Sequence, residues 1–353
     1  MKMDIGQKGP GMPMISKHTS PIASGRSGLT PPALYTRRSA LGLFAGAALV
    51  GLGACSKMGA KTGSMDEGAS SDADSKPFVL TTFTVTRDIA ANVAGDFLDV
   101  RSITKAGAEI HDYEPTPEDI KQAEGAALIL NNGLGLERWF ERFATDSHAE
   151  RVDLSKGVDP ISISEGDFAG EANPHAWMSP KNGQIYVDNM VAAFSRLDPD
   201  HASDYESNGK SYKESLEKIS SELIQRLDEL PTDQRTLVTC EGAFSYLCRD
   251  ANLDEIYLWP VNSAEEGTPQ QIAKVVQAVR DKSIPAVFCE STVSPKAMRQ
   301  VADETGASLR ADAEHMLYVD SLSDGDGPVP TYLELLSHDA KVIVEGLTGK
   351  ESK

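Results

Sequence analysis

The sequence predicts an α/β protein of two lobes, each with mostly parallel sheet, joined by one long rigid helix. Three observations lead there. From Phe78 onward, short β-branched runs alternate with helical patterns, as in parallel strands connected by crossover helices. The alternation comes in two blocks, and between them Leu216, Ile219, Leu223 and Leu227 fall at spacings of three and four, forming one helical stripe. The 353 residues are enough for two such lobes. The expected divisions are a leader over 1–54, a tether over 55–76, lobes over 77–198 and 232–353, and a linking helix over 199–231.

In the first block, FVLTTFT (78–84) reads as a strand, followed by a helix near 87–93 and a second strand at LDVRSIT (98–104). Thr116-Pro117-Glu118-Asp119 is a helix start: Thr caps, Pro occupies the first helical position, and the acids face the positive end of the helix dipole. ALILN (127–131) reads as a buried strand, and GLERWFERF (135–143) as an amphipathic helix. Pro199–Leu230 contains no Pro or Gly after Gly209, and at ~1.5 Å per residue it reaches about 30–45 Å, the length of a lobe. In the second block, LVTC (237–240), EIYLW (255–259), AVFCE (286–290) and ASLRA (307–311) are strands. Helices are expected at 269–280, 295–305 and about 330–347.

The N-terminus is different in kind. Arg37-Arg38 precede an uncharged apolar run that ends at Leu52-Gly53-Ala54-Cys55, a basic flank, apolar core and small-residue cleavage site. The tetrapeptide looks like a bacterial lipobox, in which the Cys becomes the acylated first residue. Ser56–Lys76 is small and polar, with too little apolar surface to order itself. The chain is therefore expected to be exported and held by lipid on Cys55 at the outer face of the cytoplasmic membrane. Removing residues 1–54 leaves 28 basic and 52 acidic side chains, a charge of −24 against −19 for the whole chain. Such acidity opposes nucleic-acid binding, which depends on phosphate neutralisation. The chain has no G-x-S-x-G, H-E-x-x-H or P-loop motif, so no enzyme is indicated.

Ligands of parallel α/β sheets gather at the carboxyl ends of strands. Four side chains qualify: His111 after the second strand, His175 in a Pro-bounded loop before a helix, Glu241 after LVTC, and Asp320 after LYV. Taken singly, each is as well explained by solvation or helix capping. The segments around them carry more. GAEIHDYEPTPEDI (107–120), NGLGLERW (132–139), NPHAWMSP (173–180), TCEGAFSYL (239–247) and LYVDSLS (317–323) occur in one order and spacing. With them the chain resembles the solute-binding lipoproteins of bacterial metal-ion ABC transporters, which handle manganese, zinc and ferrous iron.

The resemblance implies a metal ion held between the lobes by His111, His175, Glu241 and Asp320. It also implies a permease and a separate ATPase as partners, with the chain itself a monomer. Two neutral imidazoles and two carboxylates give a charge of −2 that balances a divalent cation, and the hard oxygens favour manganese, with zinc and iron behind. Glu109, Asp112, Glu114 and His315 are candidates to orient these ligands. Trp139 and Trp177 read as packing residues. Cys240, Cys248 and Cys289 remain after Cys55. If their strands are neighbours, Cys240 and Cys289 can pair; otherwise all three are buried thiols. Two rival readings stay open: a surface adhesin with a structural metal, and a metal-dependent hydrolase.

Overall fold

The computed structural model describes residues 76–141, 147–262 and 267–350; the apolar leader, Cys55 and nearly all of the tether lie outside them. The first block holds a four-stranded, all-parallel sheet in the order β2-β1-β3-β4. Its strands are β1 (Phe78–Thr81), β2 (Asp99–Ser102), β3 (Leu128–Asn131) and β4 (Glu150–Asp153). The central strands are apolar because both faces are covered: Val79, Leu80, Ile129 and Leu130 are fully buried. Strand β4 was not expected, since ERVD lacks an apolar run. It lies at the sheet edge, where burial is incomplete and charge is tolerated. Helix α1 (Thr84–Ala94) follows β1, and α2 (Pro117–Gly125) begins with a full capping box between Thr116 and Asp119. Helix α3 is described only over Arg138–Glu141.

Helix α4 (Pro180–Leu197) leads through a 3-10 turn, Pro199–His201, into the 26-residue α5 (Ala202–Leu227). The long helix therefore starts three residues later than expected. Asp198 accepts bonds from His201 and Tyr205, both 2.7 Å, and holds the tighter turn. Gly209 does not break α5. A Cβ there would lie 2.6 Å from Val191 Cγ2 of α4, so glycine permits the close crossing of the two helices. Helix α5 packs on α1 from the first block and on α9 (Tyr332–Thr348) from the second. Buried Asp88 ties the three together, accepting from Tyr212 of α5 at 3.4 Å and from the Tyr332 backbone at 2.9 Å.

The second block pairs β5 (Thr236–Glu241) with β6 (Asp254–Trp259), and β7 (Ala286–Phe288) with β8 (Ser308–Arg310), all parallel. Strands β5 and β7 touch, and a disulfide joins Cys240 to Cys289 across them, with Cα atoms 5.1 Å apart. Cys248 is a buried free thiol. Helices α6 (Ser245–Ala251), α7 (Pro269–Lys282) and α8 (Lys296–Thr305) complete the block. At seven residues, α6 is too short to show a helical period in the sequence. Among the described residues no helix is long and apolar enough to cross a membrane.

Candidate metal centre

Each block supplies two of the four side chains, from the loops and strand ends on one side of its sheet. His111 lies in the loop between β2 and α2, and His175 just ahead of the turn that starts α4. Glu241 is the last residue of β5. Asp320 follows Leu317, which makes a parallel bridge with Glu290 beyond β7. The fold converges them: one ligand atom from each lies within 4.8 Å of all the others. The two Nε2 atoms are 3.1 Å apart; Glu241 Oε1 is 3.4 Å from that of His111 and 3.3 Å from that of His175. Asp320 Oδ1 completes the group at 3.7 and 4.0 Å. The His175, Glu241 and Asp320 side chains are wholly buried, and that of His111 is 7% exposed.

Residues around the cluster aim these atoms inward. His175 Nδ1–H donates to Asn173 Oδ1 at 2.8 Å, which leaves the Nε2 lone pair pointing at the carboxylates. Asn173 is itself oriented, since its Nδ2 donates to the Gly242 carbonyl at 2.7 Å. Glu241 Oε1 accepts the Asn262 backbone N–H at 2.8 Å, and Asp320 Oδ2 accepts from Thr292 at 3.1 Å. The second oxygen of each, Glu241 Oε2 and Asp320 Oδ1, is buried without a hydrogen-bond donor. Such oxygens are costly in a protein interior unless a cation meets them, so the donor set fits a divalent metal.

The electrostatics agree. Burial opposes a charge on His111, but Glu241, Asp320 and Glu109 outweigh it and lift its pKa to about 9. Burial and then His111 press His175 down to about 3. Burial and Asp320 push Glu241 well above the usual carboxylate range. For Asp320, burial raises the pKa but the neighbouring His111, 3.7 Å from Oδ1, outweighs it and holds the pKa low. Without metal, His111 thus holds a proton where a cation would otherwise balance the acids, and Glu241 is biased toward its own protonated form.

Not every candidate joins the group. Glu109 does, its Oε1 accepting the Ile110 and His111 backbone N–H groups, each at 2.8 Å. Asp112 and Glu114 do not orient His111; they are exposed on the wall of a cavity of about 750 Å³ that reaches His111 from outside. His315 is also elsewhere, bonded to exposed Asp312 at 2.8 Å, because the turn before β-bridge residue Leu317 points it away. The two tryptophans do more than pack. Trp139 Nε1 donates to the carbonyl of Ile110, just before His111, at 2.9 Å, and Trp177 Nε1 to that of Val319, just before Asp320, at 3.0 Å. Nothing in the sequence marks Thr292 or these indoles as supports, since each partner is distant along the chain, and Asn173, only two residues from His175, carries no motif that shows its side chain turned onto the imidazole.

A profile of the family described as "ZnuA: Zinc-uptake complex component A periplasmic" matches residues 79–346. The chain belongs to this family of metal ABC transporter substrate-binding proteins. It is 48% identical over 286 residues to "Iron-binding protein YfeA" of Yersinia pestis, covering 81% of this chain and 91% of that one. It is 33% identical over 277 residues to "Manganese ABC transporter substrate-binding lipoprotein PsaA" of Streptococcus mitis, covering 76% and 88%. A solved structure of the Mn-bound periplasmic metal binding protein from Candidatus Liberibacter asiaticus superposes with a TM-score of 0.72 at 38% identity, covering 77% of this chain and all of that one. The two-lobed α/β fold with a long helix is the fold of these family members.

Proposed function

We propose that the chain captures one divalent transition-metal ion through His111, His175, Glu241 and Asp320 and delivers it to an ABC permease driven by a separate ATPase. The observation that carries this reading is the pair of donorless buried oxygens, Glu241 Oε2 and Asp320 Oδ1, beside two Nε2 atoms with no bulk-water access on three of the four side chains. No covalent chemistry is needed. Capture exchanges the ion's water for these ligands, and release requires one ligand to withdraw.

Manganese is the preferred ion in this reading. Half of the ligand residues are hard oxygen donors, and the two carboxylates can each bind through both oxygens, which suits a six-coordinate ion better than a tetrahedral one. Ferrous iron is the second reading, favoured by the name of the 48%-identical relative. The test is elemental analysis of protein isolated from its own host, together with competitive titration of manganese against iron and zinc. Manganese or iron in stoichiometric amount is expected, and zinc alone would overturn the preference. Loss of the ion in His111→Ala and Asp320→Ala would support the ligand set, and retention in both would exclude it. Anchoring through acylated Cys55 belongs to the same proposal. It predicts that Cys55→Ser abolishes incorporation of labelled fatty acid and releases the protein from membranes.

A further inference from the structure

We infer that Asn262 is a positioning residue that couples the His111 loop to both carboxylate ligands and so sets how long the ion is held. The inference rests on the metal-capture reading. Asn262 lies three residues beyond the end of β6 and is 5% exposed. Every hydrogen-bonding group shown for it has a partner in or beside the metal centre. Trp259 Nε1 donates to its Oδ1 at 2.9 Å, which settles the amide orientation and turns the NH₂ group toward the acids. That NH₂ donates to Asp320 Oδ2 at 3.2 Å and to Glu109 Oε2 at 2.9 Å. Its backbone N–H donates to Glu241 Oε1 at 2.8 Å. Glu109, in turn, accepts the backbone N–H of His111.

A continuous path therefore runs from both carboxylate ligands through one amide and one carboxylate to the main chain of His111, linking the two blocks. No other route of this kind is needed for His175, which Asn173 holds within its own loop. His111 is also the one ligand on the cavity, so the ion leaves on its side. Moving the His111 loop outward breaks the Asn262–Glu109 bond, which makes that bond a brake on release. The residue type matters: an Asp at this position would set an oxygen against Asp320 and Glu109, whereas the Asn amide offers each a proton.

The test loads the protein with Mn2+, adds excess chelator, and follows transfer of the ion from protein to chelator by the change in its electron paramagnetic resonance spectrum. Asn262→Ala keeps the backbone bond to Glu241 and should speed release about 10–100-fold, the range for groups that orient metal ligands. Glu109→Gln, whose Oε1 can keep the His111 N–H while its NH₂ meets the Asn262 NH₂, should speed release in the same direction. The double variant should be no faster than the faster single one, because both cut one path. Multiplying effects, or an unchanged rate in folded Asn262→Ala, would overturn the inference. If Asn262→Ala does not fold, the rate for Glu109→Gln decides it, an unchanged rate refuting the coupling. Failure of the parent reading looks different: wild-type protein would then retain no Mn2+, or would keep it in His111→Ala.

Discussion

The Nε2 atoms of His111 and His175 lie 3.1 Å apart, with Glu241 Oε1 within 3.4 Å of both. Two lone pairs this close demand a cation between them, a proton in the metal-free protein and a metal in the loaded one. With His111 lifted to about 9, His175 pressed to about 3 and Glu241 raised well above the usual carboxylate range, metal binding at neutral pH should displace at least one proton. Apparent affinity should then fall at least about tenfold per pH unit well below pH 9, since protons compete with the metal for the same atoms. Calorimetry in buffers of different ionisation enthalpy counts the released proton, and a count near zero would contradict this picture.

Asn173 should matter to binding although it cannot touch the ion. Without its Oδ1, His175 loses the bond that selects the tautomer with a free Nε2. Asn173→Ala is expected to weaken metal affinity about 10–100-fold. Competition against a fluorescent chelator measures it, and wild-type affinity in a folded variant would refute the assignment.

Gly209 offers a test of packing far from the metal. Gly209→Ala should gain about 1 kcal/mol of helix propensity, yet it forces a methyl to 2.6 Å from Val191 Cγ2. Overpacking of this kind costs about 1–3 kcal/mol, so a net loss is expected in urea denaturation. Val191→Ala in the same chain should recover part of it, and a stabilised single variant would show that the helices simply move apart.

Glu137 predicts a pH-dependent stability separate from the metal. It is buried, accepts a bond from Thr82 at 2.9 Å and from the Gly133 backbone at 3.2 Å, and burial lifts its pKa from 4.5 to about 7. A raised carboxyl favours folding in its protonated form, so its contribution is full below pH 4.5 and disappears as pH rises past about 7. Between pH 5 and pH 8 this is worth roughly 2–3 kcal/mol. Glu137→Gln should remove that slope when metal-free protein is denatured across the same range, and an identical slope in both proteins would exclude Glu137 as its source.

Much of the fold was legible because local chemistry wrote it. The runs at 78–84, 127–131 and 237–240 are dominated by apolar and β-branched residues, as strands covered on both faces must be, and Thr116-Pro117 marks a helix start by capping alone. Strand β4 escaped because an edge strand has one bonded neighbour and its side chains stay wet. Helix α6 escaped because seven residues hold fewer than two full turns of pattern. The candidate ligands were legible only through the words around them. A His in a loop looks the same whether it faces solvent, as His315 partly does beside Asp312, or a buried carboxylate, as His111 does.

By itself, then, the sequence determined the alternating elements, the long helix, the acidic charge and the segments that place the chain in its family, because periodicity, capping and motif spacing are local along the chain. Only the tertiary structure decided that Cys240 pairs with Cys289, that Asp112 and Glu114 stay outside while Glu109 enters, and that Asn173, Asn262 and two indoles aim the ligands. Those facts depend on distances between residues far apart in sequence and on the direction of single bonds. Such quantities exist only once the two blocks have closed around a shared centre.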